Sequence, residues 1–265
     1  DCYRCPWKLT FPDCGLACAE HLRQVIRNET QGEIAAIIVE PVQGTAGNVT
    51  PPAGFLQAVQ EIAKENGALL IADEMQTGFG RTGLMWGCDH DAVVPDVMTV
   101  GKGIGGGFPM SALISTDELT SRKPFANPSG SSSTFGGNPL AAAAGLAALE
   151  IILKDDLVNN ARRVGAVMLT RLRDMQERYR CIGDVRGRGL LLGLDLVRDR
   201  TSKERLPKEV TQALFQECVR RGLIAMCYGP VVRICPPLII SEEKALEGLA
   251  ILDDALAMVT RKYHL

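Results

Sequence analysis

From residue 34 onward the sequence alternates short apolar runs with segments of helical period, and that alternation restricts the fold more than any other feature. "IAAIIVEP" predicts a buried strand. "PPAGFLQAVQEIAKENG" predicts a helix with proline near its start and Gly67 as its stop. "ALLIADE" is strand again, continuous in apolar residues as in a parallel sheet covered on both faces. "DVMTVG" and "MSALIST" add two strands, and "NPLAAAAGLAALEIIL" adds a helix whose small residues invite close packing. The layout is α/β, with helices on both faces of a sheet.

After residue 154 the texture changes. "LVNNARRVGAVMLTRLRDMQERY" is a charged amphipathic helix, followed by a strand, "GLLLGLDLV". A helix over 208–221, a short strand "VVRIC" and a terminal helix starting at Ser241 complete the pattern, with Glu242 and Glu243 in the last helix's first turn. This predicts a smaller α+β domain, residues 155–265, attached to an α/β domain, residues 1–154. A chain of 265 residues is long enough for both. "SRKPFANPSGSSST" is the one long polar loop, a length that is usually functional or disordered.

Charge narrows the partners. Lys plus Arg number 29 against 31 Asp plus Glu, a net charge of −2, so nothing points to nucleic acid or an anionic membrane. No apolar run approaches the roughly 20 residues that span a bilayer. The opening "DCYRCPWK" is unlike a signal peptide, and the expected location is the cytoplasm. Of nine cysteines, Cys181, Cys218, Cys227 and Cys235 sit singly in apolar contexts and read as small buried hydrophobes. Cys2-x2-Cys5-x8-Cys14-x3-Cys18 has intervals that suit a structural zinc, but no second CxxC follows. "CGLACAEHLRQVI" reads better as the opening of an amphipathic helix with Cys14, Cys18 and Leu22 along one face, and no metal is expected.

The stretch "VPDVMTVGKGIGGGFPMSALIST" sets Lys102 among five glycines between two apolar strands. A Walker phosphate loop fails, because Asp96 stands where its first glycine belongs and Gly103 where its Ser/Thr belongs. Gly101-x-Gly103-x-x-Gly106 matches the dinucleotide fingerprint, yet Pro109 and a strand follow where a helix is required. A solvated lysine in a glycine turn is the plain alternative. The remaining reading is a nucleophilic amine in crowded, apolar surroundings, with a lowered pKa, able to form a Schiff base with a carbonyl. In pyridoxal-phosphate sites the partner of such a lysine is a carboxylate on the pyridinium nitrogen. Asp73 ends a strand at the carboxyl edge of the sheet, where open α/β sheets bind ligands; the plain alternative is that Asp73 or Glu74 merely caps the turn, but a carboxylate ending one apolar strand and a lysine ending the next is the sharper reading.

Five motifs in register, "IADEMQTGFGRTG", "GKGIGGGFP", "STFGGNPLA", "GDVRGRGLLLG" and "RICPPL", resemble the class III pyridoxal-phosphate-dependent aminotransferases, nearest the 4-aminobutyrate aminotransferases and dialkylglycine decarboxylase. The resemblance runs from "IVEPVQG" to the last helix. It implies the aspartate-aminotransferase-like fold (fold type I) and pyridoxal 5'-phosphate as cofactor. By it, Lys102 would form the Schiff base and shuttle a proton, Asp73 would pair with the pyridinium nitrogen, and Gln76 would contact the cofactor's O3′ edge. Thr134 would donate to the cofactor phosphate across a homodimer interface. Arg233 would grip the substrate carboxylate as a bidentate fork. Glu40 would pair with Arg233 when an ω-amine is bound and release it for an α-carboxylate; the plain alternative for Glu40 is a turn carboxylate.

The family's amino-terminal half, with its glycine/serine phosphate loop and ring-stacking aromatic, has no counterpart here. Residues 1–154 are therefore expected to be the latter part of the large domain, and residues 155–265 the carboxy-terminal small domain. The loop "CYGPVV" before Arg233 is short beside 4-aminobutyrate aminotransferases. The expected reaction is amino transfer from an amine or ω-amino acid, 4-aminobutyrate-like, to a 2-oxo acid. A decarboxylating transaminase, a lyase or an aminomutase shares the same motifs. A nicotinamide-dependent oxidoreductase and a non-catalytic fragment are the competing classes.

Overall fold

In the computed structural model, which describes residues 1–227 and 229–265, three strands run parallel: β1 (Ala36–Val39), β2 (Leu69–Asp73) and β3 (Val97–Val100). Ala36 lies beside Leu69, and Ile71 beside Val97. The next strand, β4 (Ala112–Ser115), pairs with β3 antiparallel, Val100 opposite Ala112. The reason is chain length: residues 101–111 cannot supply the crossover of about a dozen residues that a parallel return needs. The sheet order is β1-β2-β3-β4.

Helix α1 (Ala17–Glu29) starts later than its apolar period suggests. Gly15 and Leu16 both take left-handed backbone, φ 54° and 59°, so Cys14 stands in the preceding turn and not on the helix face. Helix α2 (Phe55–Glu65) begins where the buried Asp91 carboxylate accepts the backbone N–H of Leu56 at 3.1 Å. Its apolar residues Leu56, Val59 and Ala63 pack with Leu70, Cys88 and Val93. Ile38 on β1 is 63% exposed and Ile114 on β4 47%, so the expected two-sided cover is incomplete in this chain. A single turn, α3 (Asp117–Thr120), and helix α4 (Pro139–Lys154) follow, the latter capped by Asn138, whose Oδ1 accepts from the Ala141 N–H at 2.9 Å.

The second sheet is antiparallel throughout, in the order β5 (Ile182–Arg188), β6 (Leu191–Leu196), β7 (Val231–Ile234). Strand β6 is buried along its whole length, as its apolar run requires. Strand β5 was not anticipated, because "IGDVRGR" carries two glycines and three charges on a half-buried edge. Gly189, at φ 54°, turns the β5–β6 hairpin, and a Cβ there would lie 2.4 Å from the carbonyl carbon of Thr82. Helices α5 (Leu157–Arg178), α6 (Lys208–Arg220) and α7 (Glu242–Tyr263) enclose the core of Leu172, Leu192, Leu194, Leu214, Leu252 and Leu256. Ser241 caps α7 as expected, its hydroxyl accepting the Lys244 N–H at 3.2 Å.

Specific hydrogen bonds join the two sheets. Asn48 donates from Nδ2 to the Leu192 carbonyl at 2.5 Å, and Arg186 donates from Nε to the Gly47 carbonyl at 3.0 Å. Arg81 donates from Nη1 to the carbonyls of Leu190 and Pro236, while the Leu190 N–H returns a bond to the Arg81 carbonyl at 3.0 Å. Among the described residues, no helix is long and apolar enough to cross a membrane.

Candidate active site

Asp73 and Glu74 end β2 and go opposite ways. Asp73 keeps its carboxylate at the strand end, where Oδ1 accepts the Met75 N–H at 3.0 Å. Glu74 is fully buried. Its carboxylate accepts the N–H groups of Gly87 and Cys88, both at 2.8 Å, and the Thr77 hydroxyl. Three donors make that buried charge tolerable and bolt the "EMQTG" turn to residues 87–88. The turn-capping alternative thus applies to both residues. Only Asp73 retains a second oxygen with no donor assigned among the described residues.

The bolted turn presents Gln76. Its amide Nε2 donates to the Thr45 hydroxyl at 3.4 Å, and it lies against Gly44, where a Cβ would sit 2.3 Å from Nε2. Only glycine allows that approach. Gln76 lines a cavity of ≈170 Å3 together with Lys102, Met75, Phe79, Arg81 and Cys235. The cavity therefore draws on both sheets' segments.

Lys102 opens a short 3-10 turn, Lys102–Gly105, with φ 45°. Left-handed backbone is uncommon outside glycine and collects at functional sites. The side chain is exposed, contrary to the crowded, apolar surroundings expected for it, because the glycines around it bring no side chains to cover it. A 3-10 turn and then β4 follow, so no helix start faces Gly101-x-Gly103-x-x-Gly106 and the dinucleotide reading falls.

Arg81 was not singled out from the sequence. Burial pushes its guanidinium pKa below the ordinary value, and the nearby Cys235 opposes that shift. Asn48, also missed, is fully buried, with Nδ2 3.5 Å from the Cys235 sulfur and Oδ1 unpartnered among the described residues. The signal for both lay in tertiary contacts more than 100 residues away in sequence.

The other expected residues are not gathered around Lys102. Glu40 follows β1, a strand more open than expected because it is the sheet edge, and its Oε2 accepts the Gly44 N–H at 3.0 Å. That is the turn-carboxylate geometry. Arg233, on β7, places Nη2 3.2 Å from the Met226 sulfur and lines a separate cavity of ≈350 Å3 with Ile234, Cys235 and Lys244. Among the described residues Glu40 and Arg233 form no ion pair. Thr134 is exposed on the polar loop. Within the "CYGPVV" loop, Tyr228 lies outside the described residues. Among the described residues no cluster of three His, Cys, Asp or Glu side chains could hold a metal.

The cavity gathers an amine, an amide held beside Gly44 and Thr45, and a half-buried guanidinium, and Asp73, with its open carboxylate oxygen, ends the strand two residues before Met75. An amine takes a carbonyl carbon, a carboxylate takes a protonated ring nitrogen, and an amide takes a ring oxygen. These residues fit the aldehyde and ring ends of a pyridoxal group. Residues for its phosphate end are not collected beside them.

A family model described as class-III aminotransferase matches residues 5–256. A leucine/methionine racemase of Thermococcus litoralis is 41% identical over 98% of this chain and 58% of its own length. A 4-aminobutyrate aminotransferase of Mycobacterium leprae is 37% identical over 92% of this chain and 54% of its own. An amine transaminase from an uncultivated Pseudomonas species, solved in its PLP-bound form, superposes with a TM-score of 0.90 at 34% identity, over 97% of this chain and 60% of that one. The chain thus spans about half the length of the curated relatives it matches.

Proposed function

The chain belongs to the class-III aminotransferase family, and from that premise we propose that it carries the lysine end of a fold-type-I enzyme moving an amino group from an amine or ω-amino acid, 4-aminobutyrate-like, to a 2-oxo acid. Its cofactor is pyridoxal phosphate, which supplies the electron sink for cleavage at the substrate's amino-bearing carbon. One observation carries the reading. Lys102 and Gln76 line one cavity beside the strand end that bears Asp73.

Lys102 Nζ is the nucleophile that holds the cofactor and then moves the proton to and from the substrate carbon. Asp73 keeps the ring nitrogen protonated through its open oxygen. Gln76 holds the ring's oxygen edge. Arg233 binds the substrate carboxylate, and Glu40 is its counter-ion for ω-amines. Among the described residues the two are unpaired, Glu40 accepting the Gly44 N–H and Arg233 lying against Met226, so the pairing is a proposal from the family resemblance. Thr134 donates to the cofactor phosphate of a second copy. Support for that homodimer comes from its exposed loop, from Phe135 at 81% exposure, and from Leu140 and Leu146 open on α4. We divide the chain into a large-domain part, 1–154, and a small domain, 155–265, on the two separate sheets. We keep the cytoplasm, expected from the sequence, as part of the proposal.

The test is a panel of amines and ω-amino acids against pyruvate and 2-oxoglutarate, following product amino acid. Amino transfer should appear, and Arg233→Ala should lower kcat/KM for the 2-oxo acid about a hundredfold. No transfer to either acceptor with any donor would sink the reading. A second reading, amino-acid racemisation, is favoured by the 41% identity to the racemase. It predicts loss of optical activity from L-leucine or L-methionine with no 2-oxo acid present.

A further inference from the structure

The cysteine pattern at the start of the chain takes no part in the proposed reaction. In the structure Cys2, Cys5, Cys14 and Cys18 line one cavity of ≈270 Å3, walled by Trp7 and Phe11. Cys2 is exposed and the other three are half-buried, all as free thiols. The Cys5 N–H donates to the Cys2 carbonyl at 3.3 Å, closing a four-residue turn. Such a turn keeps its end Cα atoms within roughly 7 Å, and a disulfide spans about 4.4–6.8 Å. We propose that Cys2 and Cys5 form a redox-active dithiol whose ligand is a low-molecular-weight disulfide of the glutathione class.

The two thiols are unequal, as exchange requires. Backbone N–H groups, Leu9 foremost and then Trp7 and Lys8, lower the Cys5 thiol pKa below its ordinary value. Partial desolvation raises that of Cys2 against the lowering charge of the terminal ammonium, and the neighbouring Cys18, Cys14 and Cys5 add to the rise. Cys5 is therefore the attacking sulfur. Its thiolate attacks one sulfur of R–S–S–R, the S–S bond breaks, and one R–S⁻ leaves and takes up a proton. The Cys2 thiol then loses its proton and attacks the Cys5 sulfur of the mixed disulfide, releasing the second R–S⁻, which is protonated in turn. Two protein thiols are oxidised by two electrons, and one R–S–S–R is reduced to two R–SH.

The experiment equilibrates the protein in glutathione buffers of rising glutathione disulfide, alkylates free thiols with N-ethylmaleimide, and maps peptides by mass. A Cys2–Cys5 linkage is expected. Cys2→Ser should stop the exchange halfway, with glutathione held on Cys5. Cys5→Ser should abolish the internal linkage and slow glutathione uptake at Cys2 about tenfold or more. Far-UV circular dichroism checks that both variants fold. A linkage that leaves out Cys2 or Cys5, full alkylation of both at every poise, or glutathione settling on Cys2 in the Cys5-containing protein would each overturn the proposal.

Discussion

The buried carboxylate of Glu74 accepts the Cys88 N–H at 2.8 Å and so fixes the turn that carries Gln76 to the cavity wall. Glu74→Ala would leave the N–H groups of Gly87 and Cys88 unpaired, at about 1–3 kcal/mol each. Urea unfolding should show a loss of ~3 kcal/mol or more. Unchanged stability would mean that the turn holds without it.

Gly44 and Gln76 make the next prediction. Gly44→Ala puts a Cβ 2.3 Å from Gln76 Nε2, the end of a flexible side chain, so the amide moves and the backbone stays. Spectrophotometric titration with pyridoxal phosphate should show affinity falling on the order of tenfold, the worth of one hydrogen bond. Stability should change by less than about 1 kcal/mol, since the displaced group is polar and reaches water.

Asn48 joins the two sheets from left-handed backbone, φ 53°. Asn48→Ala loses the bond to Leu192 and adds strain, together about 3 kcal/mol. Asn48→Gly loses only the bond and should be ~1 kcal/mol milder. Denaturation midpoints of the pair separate the two contributions; equal losses would remove the strain component.

Two groups, one just past the end of α5 and one on α7, set opposite pH limits. Burial alone would raise the Asp253 carboxyl, but hydrogen bonds from Arg178 and Tyr179, with the charges of Arg178 and Arg171, hold it below the usual range. A carboxyl lowered by folding contributes stability above its unfolded value, about pH 4, and loses it as pH falls through the folded one. Burial, then the Asp253 hydrogen bond, pushes the Tyr179 phenol up to about 12. That contribution is complete below about pH 10 and is lost as pH rises through the folded value. Thermal melts should show Asp253→Asn flattening the acid limb and Tyr179→Phe flattening the alkaline one.

Much of this was legible in the sequence. Strands β1 to β3, the α7 start at Ser241 and the Lys102–Gln76 neighbourhood follow from local pattern and motif. Strand β4 was anticipated but its antiparallel direction was not, because apolar period gives no direction, which the short 101–111 connection decides. Strand β5 was missed because its pairing with β6 overrides its glycines and charges. The exposure of Lys102, the partners of Glu74 and the reach of Arg81 depend on which side chains cross between elements, and composition does not encode that. The family resemblance pairs Arg233 with Glu40, and in this chain they line different cavities.

Lys102 as the cofactor's point of attachment is tested most directly by reductive trapping. The protein is incubated with pyridoxal phosphate, treated with borohydride and digested, and the reduced pyridoxyl group is located by mass. The account predicts the group on the peptide carrying Lys102, and its disappearance from that peptide in Lys102→Ala while far-UV circular dichroism stays unchanged. Pyridoxyl spread over other lysines, with Lys102 unmodified, would contradict it.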